Sequence, residues 1–509
     1  MTARRNGPPI EAVVFVVGAA SLGAEIAAAR LLAPWFGAST IVWANTIATV
    51  LVALSVGYAL GGRMADRDPT PAGLARIVLI AAVLLAIVPF ISGPFLRISV
   101  DALESVNAGA FLGSLIAVSV LIAAPVLLLG MVSPYAIRLT VDTVDRAGQV
   151  AGRLYAISTI GSLTGVFLAA LLLIPVVGSR RTFLVFALGL ALVSIPWLRT
   201  RRLAATAMPV AMIGLIALPV GTLKAAGGDR VIWERETEYQ YARVVEDDEG
   251  ERRLELNEGQ AVHSVYRPGT YLTGNYWDEL LVLPFAGARP SPRKVAILGN
   301  AAGTTARALG HYAPQTLIDG VEIDGEITEV GKELFDLRAP RLRTHTADAR
   351  PWLRRADDRY DAVIIDAYRQ PYIPFYLATK EFFELVRERL EPGGLVIINV
   401  GHPANSQALE KVLAATMRSA FGQDRVWRDP SQRVNTMLVA TTAATPPARA
   451  LRSQLLTLPD DLRPIAAASA RRLEPALRGG RVYTDDVAPV EWLVDASIVD
   501  VAADGEGGG

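Results

Sequence analysis

The stretch Val295-Ala-Ile-Leu-Gly299-Asn-Ala-Ala-Gly303-Thr-Thr decides the fold of the second half of this chain. An apolar segment there runs into a turn that carries two glycines, and a helical pattern follows the turn. Further along, Gly320-Val-Glu322-Ile-Asp324 ends a second apolar run in carboxylates. Strand, glycine turn, helix and acid-tipped strand is the order of a doubly wound α/β sheet, in which ligands lie beyond the carboxyl ends of the strands.

The glycine turn and the acid after it predict the class of ligand. Gly299 and Gly303 let a backbone approach a ligand closely, and the carboxylate of Glu322 accepts hydrogen bonds from both hydroxyls of a ribose. The turn lacks both the Gly-x-Gly-x-x-Gly spacing of dinucleotide folds and the lysine of phosphate-binding loops. We therefore expect a nucleoside ligand without a pyrophosphate, such as an S-adenosyl compound.

Apolar residues make up 51% of the chain and crowd into its first half, which predicts an α-helical transmembrane domain over residues 1–224. Most of the apolar segments reach the roughly 20 residues that a helix needs to cross the hydrocarbon layer. The lipid bilayer is therefore a predicted partner, and a multi-pass protein of the cell membrane is the predicted location. The candidate spans lie near residues 12–33, 40–60, 74–96, 110–136, 151–177, 182–198 and 204–222.

The arginines between these spans bring a conflict over orientation. By the positive-inside rule, arginines such as Arg63, Arg138 and Arg199 belong on the cytoplasmic side together with the N-terminus. Seven spans then place the C-terminal half outside the cell, where S-adenosyl compounds are not expected, whereas six spans place it in the cytoplasm. The last two segments are the shortest, and Pro209 and Pro219 interrupt the final one. Six and seven helices both stay open.

Two further domains follow the membrane half. Residues 231–285 alternate polar and apolar side chains around turn signals such as Asp247-Asp248-Glu249-Gly250, which predicts a small antiparallel sheet, a β-lid. Residues 286–500 predict a Rossmann-like, mostly parallel doubly wound sheet, and residues 502–509 predict a disordered tail. The predicted strands of the larger sheet lie near 294–298, 316–321, 342–346, 361–365 and 394–400.

The net charge and the numbers of cysteine and histidine argue against nucleic acid and metal ions as partners. The chain carries 50 Lys and Arg against 50 Asp and Glu, so its formal net charge of zero gives no basis for nucleic-acid binding. It has no cysteine, and its four histidines show no metal-ligand spacing, so we expect no metal. These histidines are His263, His311, His345 and His402.

Several short motifs occur in the order found in spermidine synthases, and residues 231 to about 440 resemble that family. The whole chain resembles the membrane-bound group of spermidine synthase-like proteins, in which a multi-span, transporter-like domain precedes the transferase domain. The motifs are Glu238-Tyr239-Gln240, the glycine turn at 299–303, Val321-Glu322-Ile323-Asp324, Ala347-Asp348-Ala349, Tyr360-Asp361-Ala362-Val363-Ile364-Ile365-Asp366 and Leu377-Ala-Thr-Lys-Glu381-Phe-Phe.

The resemblance implies an aminopropyltransferase whose co-substrate is decarboxylated S-adenosylmethionine and whose acceptor is a small amine. It implies that Gln240 contacts the nucleoside, that Glu322 binds the ribose, and that Asp348 accepts from the adenine amino group. It also implies that Asp366 is the general base, because an amine must lose a proton before it attacks the carbon beside a sulfonium. The residues implied to bind the cofactor are Gln240, Gly299, Gly303, Glu322, Asp348 and Ala349.

The chain departs from the family where the family handles polyamines. The family carries a second Asp three positions after its catalytic Asp, and this chain has Arg369 there. The family's Tyr-His-Glu motif is Tyr276-Trp277-Asp278 here, and the acid of its glycine turn is lost within Asn300-Ala301-Ala302. The residues predicted to line the acceptor pocket are Tyr276, Asp278, Tyr368 and Arg369.

These departures leave several interpretations open. A guanidinium at 369 repels a diammonium substrate by on the order of several kcal/mol in a partly buried site. Arg369 then pairs with a carboxylate of the acceptor or of intact S-adenosylmethionine, or else it points to solvent while Asp278 or Glu279 restores the acidic pocket. The chain is thus an aminopropyltransferase, an S-adenosylmethionine-dependent transferase with a carboxylated substrate, or a transporter or sensor with a non-catalytic domain. Whether it forms a homodimer also stays open.

Overall fold

The structure is a computed structural model in which the chain divides into two compact units. The first unit comprises Met1–Ala225 with Glu234–Tyr241, and the second comprises Ala226–Trp233 with Ala242–Gly509. The predicted tail and Arg369 lie outside the described residues. The structure describes residues 8–36, 40–104, 109–198, 202–218, 228–257, 261–368, 372–404 and 406–494.

The first unit is helical, as its long apolar segments predict, and its buried side chains share one apolar core. Small residues bring two of its helices together at backbone distance. A Cβ at Gly161 would lie 2.2 Å from the Phe15 carbonyl oxygen, and one at Gly165 would lie 2.1 Å from that of Ala19. Its helices are α1 (Ile10–Phe36), α2 (Thr40–Arg67), α3 (Pro71–Glu104), α4 (Gly109–Thr140), α5 (Ala147–Phe167), α6 (Ile174–Ser194) and α7 (Arg202–Ala217).

Within the described residues, five helical runs are long and apolar enough to cross a membrane. The last of them covers 54 residues and is bent at Gly178, whose φ of 82° and ψ of 164° lie outside the helical region. This bend lies within α6, close to the point where the sequence predicts the end of one span at 177 and the start of the next at 182. The shorter helix Ala207–Ala217 follows. The five runs are Ile10–Phe36, Val42–Arg67, Pro71–Ser99, Leu112–Thr140 and Val144–Trp197.

A small sheet precedes the larger one, and its strands lie in the order β1-β2-β3-β4. Neighbours β2 and β3, and β3 and β4, are antiparallel, which confirms the predicted β-lid sheet. The predicted turn after β2 forms because Asp247 Oδ1 accepts from the backbone N–H groups of Glu249 and Glu251, both at 3.0 Å. The strands are β1 (Arg230–Glu236), β2 (Tyr241–Glu246), β3 (Arg252–Leu256) and β4 (Val262–Tyr266).

The larger sheet has the strand order β12-β10-β11-β9-β8-β5-β6-β7. Its strands are β5 (Lys294–Leu298), β6 (Leu317–Glu322), β7 (Leu342–Thr346), β8 (Tyr360–Ile365), β9 (Leu390–Gly401), β10 (Val426–Asp429), β11 (Asn435–Thr441) and β12 (Glu474–Pro475). The helices are α8 (Trp277–Val282), α9 (Thr304–Tyr312), α10 (Gly325–Leu334), α11 (Ala349–Arg355), α12 (Lys380–Glu388), α13 (Ala408–Phe421), α14 (Pro447–Gln454) and α15 (Arg463–Arg472).

The sheet is Rossmann-like, as predicted, with an antiparallel edge that the sequence analysis missed. Strands β9, β8, β5, β6 and β7 pair in parallel. Apolar cores cover both faces of the central strands β5, β8 and β9, which explains their apolar runs, whereas the edge strand β7 is less buried and is mostly polar. Strands β11, β10 and β12 add to β9 in antiparallel register. They are missed because β10 and β12 are too short to show periodicity, and because the pairings of β11 with β9 and of β12 with β10 join residues distant in sequence.

The strand order places two loops beside each other. The chain proceeds from β5 to β6 on one side and reaches β8 on the other side of β5, so the order reverses at β5. A crevice therefore opens between the carboxyl ends of β5 and β8, which is where ligands bind in doubly wound sheets. Gly299 follows β5 and Asp366 follows β8.

Candidate active site

Gly299 lets the loop after β8 pass close to the turn after β5. Its φ is +87°, and its backbone N–H donates to the Val321 carbonyl at 3.0 Å. A Cβ at this position would lie 2.5 Å from Ala367 Cα and 2.6 Å from the Asp366 carbonyl oxygen. Gly303, with a φ of +90°, has a second constraint, because its Cβ would lie 2.1 Å from a methyl carbon of Leu337. Both glycines are therefore required by the fold itself.

Glu322 ends β6 with its carboxylate held by the glycine turn. One oxygen accepts from the Ala301 N–H at 2.9 Å, and the other accepts from the Asp324 N–H at 3.1 Å. Burial raises the pKa of this carboxyl from 4.5 to about 7, while those backbone hydrogen bonds oppose the shift. Each oxygen keeps a lone pair, so the group remains able to accept hydrogen bonds from a ligand.

The structure shows local hydrogen bonds for two of the remaining residues that are predicted to bind the nucleoside. Asp348 caps α11 by accepting from the Arg350 N–H at 3.0 Å, and Ala349 beside it is buried. Gln240 belongs to the first unit, where its N–H donates to Thr237 Oγ1 at 3.1 Å. Nucleoside contacts by these residues stay predictions.

Asp366 is half-buried and lies at the centre of a hydrogen-bonded group that we call the Asp366 cluster: Asp366, Tyr276, Tyr368, Asn399 and Asn435. Asp366 Oδ1 accepts from Asn399 Nδ2 at 2.8 Å, and Oδ2 accepts from the Tyr276 hydroxyl at 3.3 Å. Burial raises the pKa of Asp366 from 3.8 to about 6, and hydrogen bonds from Asn399, Tyr276 and Trp277 oppose the rise. The carboxylate is thus largely ionised at neutral pH yet basic enough to accept a proton.

Two tyrosines predicted for the acceptor pocket belong to this cluster. The Tyr276 ring stacks on Trp277 with their centroids 4.3 Å apart, which directs its hydroxyl to Asp366. The Tyr368 hydroxyl donates to the Asn399 carbonyl at 2.9 Å and accepts from the Gly401 N–H at 2.6 Å. Burial raises the pKa of both hydroxyls, so both tyrosines are neutral near pH 7.

The acids offered by the sequence as an acidic pocket have other partners. Asp278 accepts from the Thr273 N–H at 2.8 Å, from the Thr273 hydroxyl at 3.0 Å and from the Gly274 N–H at 2.8 Å, which fixes the loop before α8. Glu279 Oε1 accepts from Arg472 at 3.0 Å. Asp278 is predicted to line the acceptor pocket, and in the structure its carboxylate accepts three hydrogen bonds from its own loop, because the turn places three donors within five residues of it.

Three asparagines of the site escape sequence reasoning. Asn399 is 2% exposed within the apolar strand β9. A single amide in an apolar run could have identified it, because a buried amide needs hydrogen-bond partners. Asn435 lies at the start of β11 and donates to Asn399. Asn300 packs beside Gly320, and neither polar atom of its buried amide has a hydrogen-bond partner among the described residues. Because an unpaired buried polar group costs about 1–3 kcal/mol, Asn300 is a candidate ligand contact.

Within the described ranges, no group of three or more His, Asp or Glu side chains is arranged to hold a metal ion.

Comparison with known proteins decides the family. The model of the spermine/spermidine synthase domain matches residues 277–426. A probable polyamine aminopropyl transferase of Bifidobacterium longum is 30% identical over 327 residues, which cover 61% of this chain and 72% of that protein. The chain belongs to the spermidine synthase family. The predicted resemblance and the prediction of an enzyme are confirmed.

Other members of the spermidine synthase family match over shorter stretches. The polyamine aminopropyltransferase of Vibrio vulnificus is 29% identical over 181 residues, which cover 35% of this chain and 60% of that protein. The solved structure of a probable spermidine synthase from Corynebacterium glutamicum covers 51% of this chain and 99% of its own, with 23% identity and a TM-score of 0.39. Glu322, Asp366 and Asn399 lie within the residues matched by the family model, whereas Gln240 and Asn435 lie outside them.

Proposed function

We propose that this spermidine synthase family member transfers the aminopropyl group of decarboxylated S-adenosylmethionine to a small amine, with Asp366 as the general base. The Asp366 cluster is the observation that carries the proposal. It presents a carboxylate with a pKa of about 6 at the crevice between β5 and β8, beside neutral hydroxyl groups. The names of the relatives, which are polyamine aminopropyltransferases, support this reaction.

The proposed reaction is a nucleophilic displacement at carbon. The lone pair of the acceptor nitrogen forms a bond to the aminopropyl carbon attached to the sulfonium. The carbon–sulfur bond breaks, and its electron pair stays on sulfur, so that neutral methylthioadenosine leaves. Asp366 takes the proton that the acceptor ammonium must lose before its nitrogen is nucleophilic. Tyr276 is neutral and donates to the same carboxylate, so it orients the base without competing for the proton.

On the nucleoside side, we propose that ionised Glu322 accepts from the ribose hydroxyls. Because its pKa in the ligand-free chain is about 7, affinity for a neutral nucleoside is expected to rise as pH increases through 7. Glu322→Gln keeps the shape but removes the charge and one acceptor. It should weaken binding of methylthioadenosine about tenfold to a hundredfold at pH 8 and flatten the pH dependence. Calorimetric titration of the detergent-solubilised full chain between pH 6 and 8.5 measures both effects.

The control for this variant is Glu329→Gln, which changes an exposed acid of α10 that pairs with Lys332. Its affinity should match that of the unmodified chain at every pH. An unchanged affinity in Glu322→Gln would contradict the ribose role.

The first unit is proposed to anchor the enzyme in the cell membrane, with the second unit in the cytoplasm, where S-adenosyl compounds are expected. Five apolar helical runs of spanning length in the described residues support the anchor. The full chain should therefore be recovered from the membrane fraction and should need detergent for extraction. Recovery in the soluble fraction alone would contradict the anchor.

The test of the reaction uses the full chain in detergent with decarboxylated or intact S-adenosylmethionine and a series of diamines. Formation of methylthioadenosine together with an aminopropylated amine, from the decarboxylated donor only, is the expected result. Methyl transfer from the intact donor, or no product with any amine, would overturn the proposal. Mass spectrometry of both products distinguishes these outcomes.

A further inference from the structure

Two asparagines in line connect the Asp366 carboxylate to the antiparallel edge of the sheet. Asn435 Nδ2 donates to Asn399 Oδ1 at 2.9 Å, and Asn399 Nδ2 donates to Asp366 Oδ1 at 2.8 Å. Asn435 pairs with Gly401 across the β9–β11 ladder, so its side chain lies diagonal to that of Asn399 on the same face of the sheet. The proposed mechanism uses Asp366 and gives no role to Asn435.

The orientation of the Asn399 side-chain amide determines whether Asp366 faces a hydrogen-bond donor or an acceptor. A primary amide has an acceptor on one side and donors on the other. If its oxygen faced Asp366, it would repel an ionised carboxylate and favour the protonated acid. The donor of Asn435 occupies that oxygen, which leaves the Asn399 NH₂ for Asp366. The Tyr368 hydroxyl meanwhile holds the Asn399 carbonyl at 2.9 Å, so the backbone at this position is fixed as well.

Among the described residues, hydrogen bonds rather than ion pairs stabilise the negative charge of Asp366. Among the residues that the structure describes, Asp366 makes no ion pair with Lys, Arg or His. The titratable groups that face it are Tyr276, just before α8, and Tyr368 from its own loop. His402, just beyond β9, has its ring nitrogens at the Pro403 carbonyl (3.0 Å) and at Thr436 Oγ1 (3.1 Å). Loss of a single donor should therefore be felt by the carboxylate.

We infer that Asn435 is a positioning residue that acts through Asn399 to keep Asp366 ionised and ready to accept the proton of the amine. The inference rests on the proposed role of Asp366 as base. It lies beyond that role because the Asn435 side chain donates to Asn399 rather than to the carboxylate, and because Asn435 lies on a strand outside the residues matched by the family model.

The test is the acid limb of the pH profile of kcat/KM for aminopropyl transfer, measured on the full chain. Asn435→Ala removes the donor that orients the Asn399 amide, so the limb should move to higher pH, by up to about 0.5 to 1 unit if Asp366 loses its hydrogen bond from Asn399. Asn435→Asp has nearly the same shape but only accepts, which turns the Asn399 oxygen toward Asp366. Its limb should move further, and both variants should recover activity at high pH.

The control is Thr436→Val, because Thr436 is the next residue on the same strand and its hydroxyl meets His402 instead. Its acid limb should not move. A second set of variants guards against misfolding: Asn399→Leu should show the same upward shift, and adding Asn435→Ala to it should cause no further shift, since the two side chains act in series.

The outcomes separate this inference from the proposed function. If Asp366→Asn abolishes turnover while the Asn435 variants keep the limb of the unmodified chain, the positioning role is wrong and the base assignment stands. Additive shifts in the double variant would also overturn the series arrangement. If Asp366→Asn retains turnover, the base assignment itself fails.

Discussion

Asp366→Asn is expected to lower kcat by about 10²- to 10⁴-fold, the range that general base catalysis contributes. The substitution keeps the shape of the side chain and leaves one oxygen that accepts from either Asn399 or Tyr276, but an amide does not accept the proton of the acceptor ammonium. Steady-state kcat at pH 8 measures the loss. Affinity for methylthioadenosine should stay nearly unchanged, because the nucleoside lies with Glu322 in the proposed arrangement.

The matched control is Asp358→Asn, which alters an acid just before the amino end of the same strand, β8, where it pairs with Lys294 and Arg343. It should affect stability more than kcat. In the unmodified chain, kcat/KM should rise with pH through about 6, since Asp366 must lose its proton to act as base and burial holds its pKa at that value. A kcat within tenfold of normal for Asp366→Asn would contradict a base at this position.

Gly299→Ala is expected to destabilise the second unit by about 2–5 kcal/mol and to remove most activity. A left-handed backbone costs a non-glycine residue about 1–2 kcal/mol, and overpacking typically adds about 1–3 kcal/mol. Here the overlap is with backbone, at 2.5 Å from Ala367 Cα, so the loop that carries Asp366 must move. Thermal denaturation in detergent and kcat at saturating substrate measure the two effects.

Gly269→Ala isolates the steric part of this effect. Gly269 has a similar φ of +76°, but nothing lies within 4 Å of the position its Cβ would take. Gly269→Ala therefore introduces backbone strain without a steric overlap, so it should lower the melting temperature less than Gly299→Ala does and should keep activity. Equal losses in both variants would show that the contact between the two loops is not what requires glycine at 299.

Local patterns in the sequence suffice for the elements that carry their own signal. The alternation around Asp247 predicts the β-lid turn, and the apolar run before Gly299 predicts β5. The carboxylate at the end of an apolar strand likewise predicts Glu322 and Asp366 as neighbours of a crevice, because all parallel strands end at one edge. Resemblance to the family predicts only that Tyr276 lines the acceptor pocket, and the structure adds a hydrogen bond of 3.3 Å from its hydroxyl to Asp366.

Contacts between distant residues have no such local signal. Asn399 and Asn435 are separated by a helix and a strand in the chain, and only the antiparallel pairing of β9 with β11 brings their amides together. The hydrogen bonds of Asp278 also depend on the folded conformation of the loop at 273–274, and no sequence pattern reveals that conformation. Resemblance to the family assigns Asp278 to the acceptor pocket, and the folded loop supplies its carboxylate with three donors.

The sequence by itself determined the helical first unit, the doubly wound sheet and the acids at its strand ends, because hydrophobic periodicity and glycine turns are local properties of the chain. Only the tertiary structure decided which groups meet Asp366, how Gly299 packs against its loop, and which acids are already occupied. Those outcomes depend on strand order and on side-chain geometry across the sheet, and both arise from long-range packing.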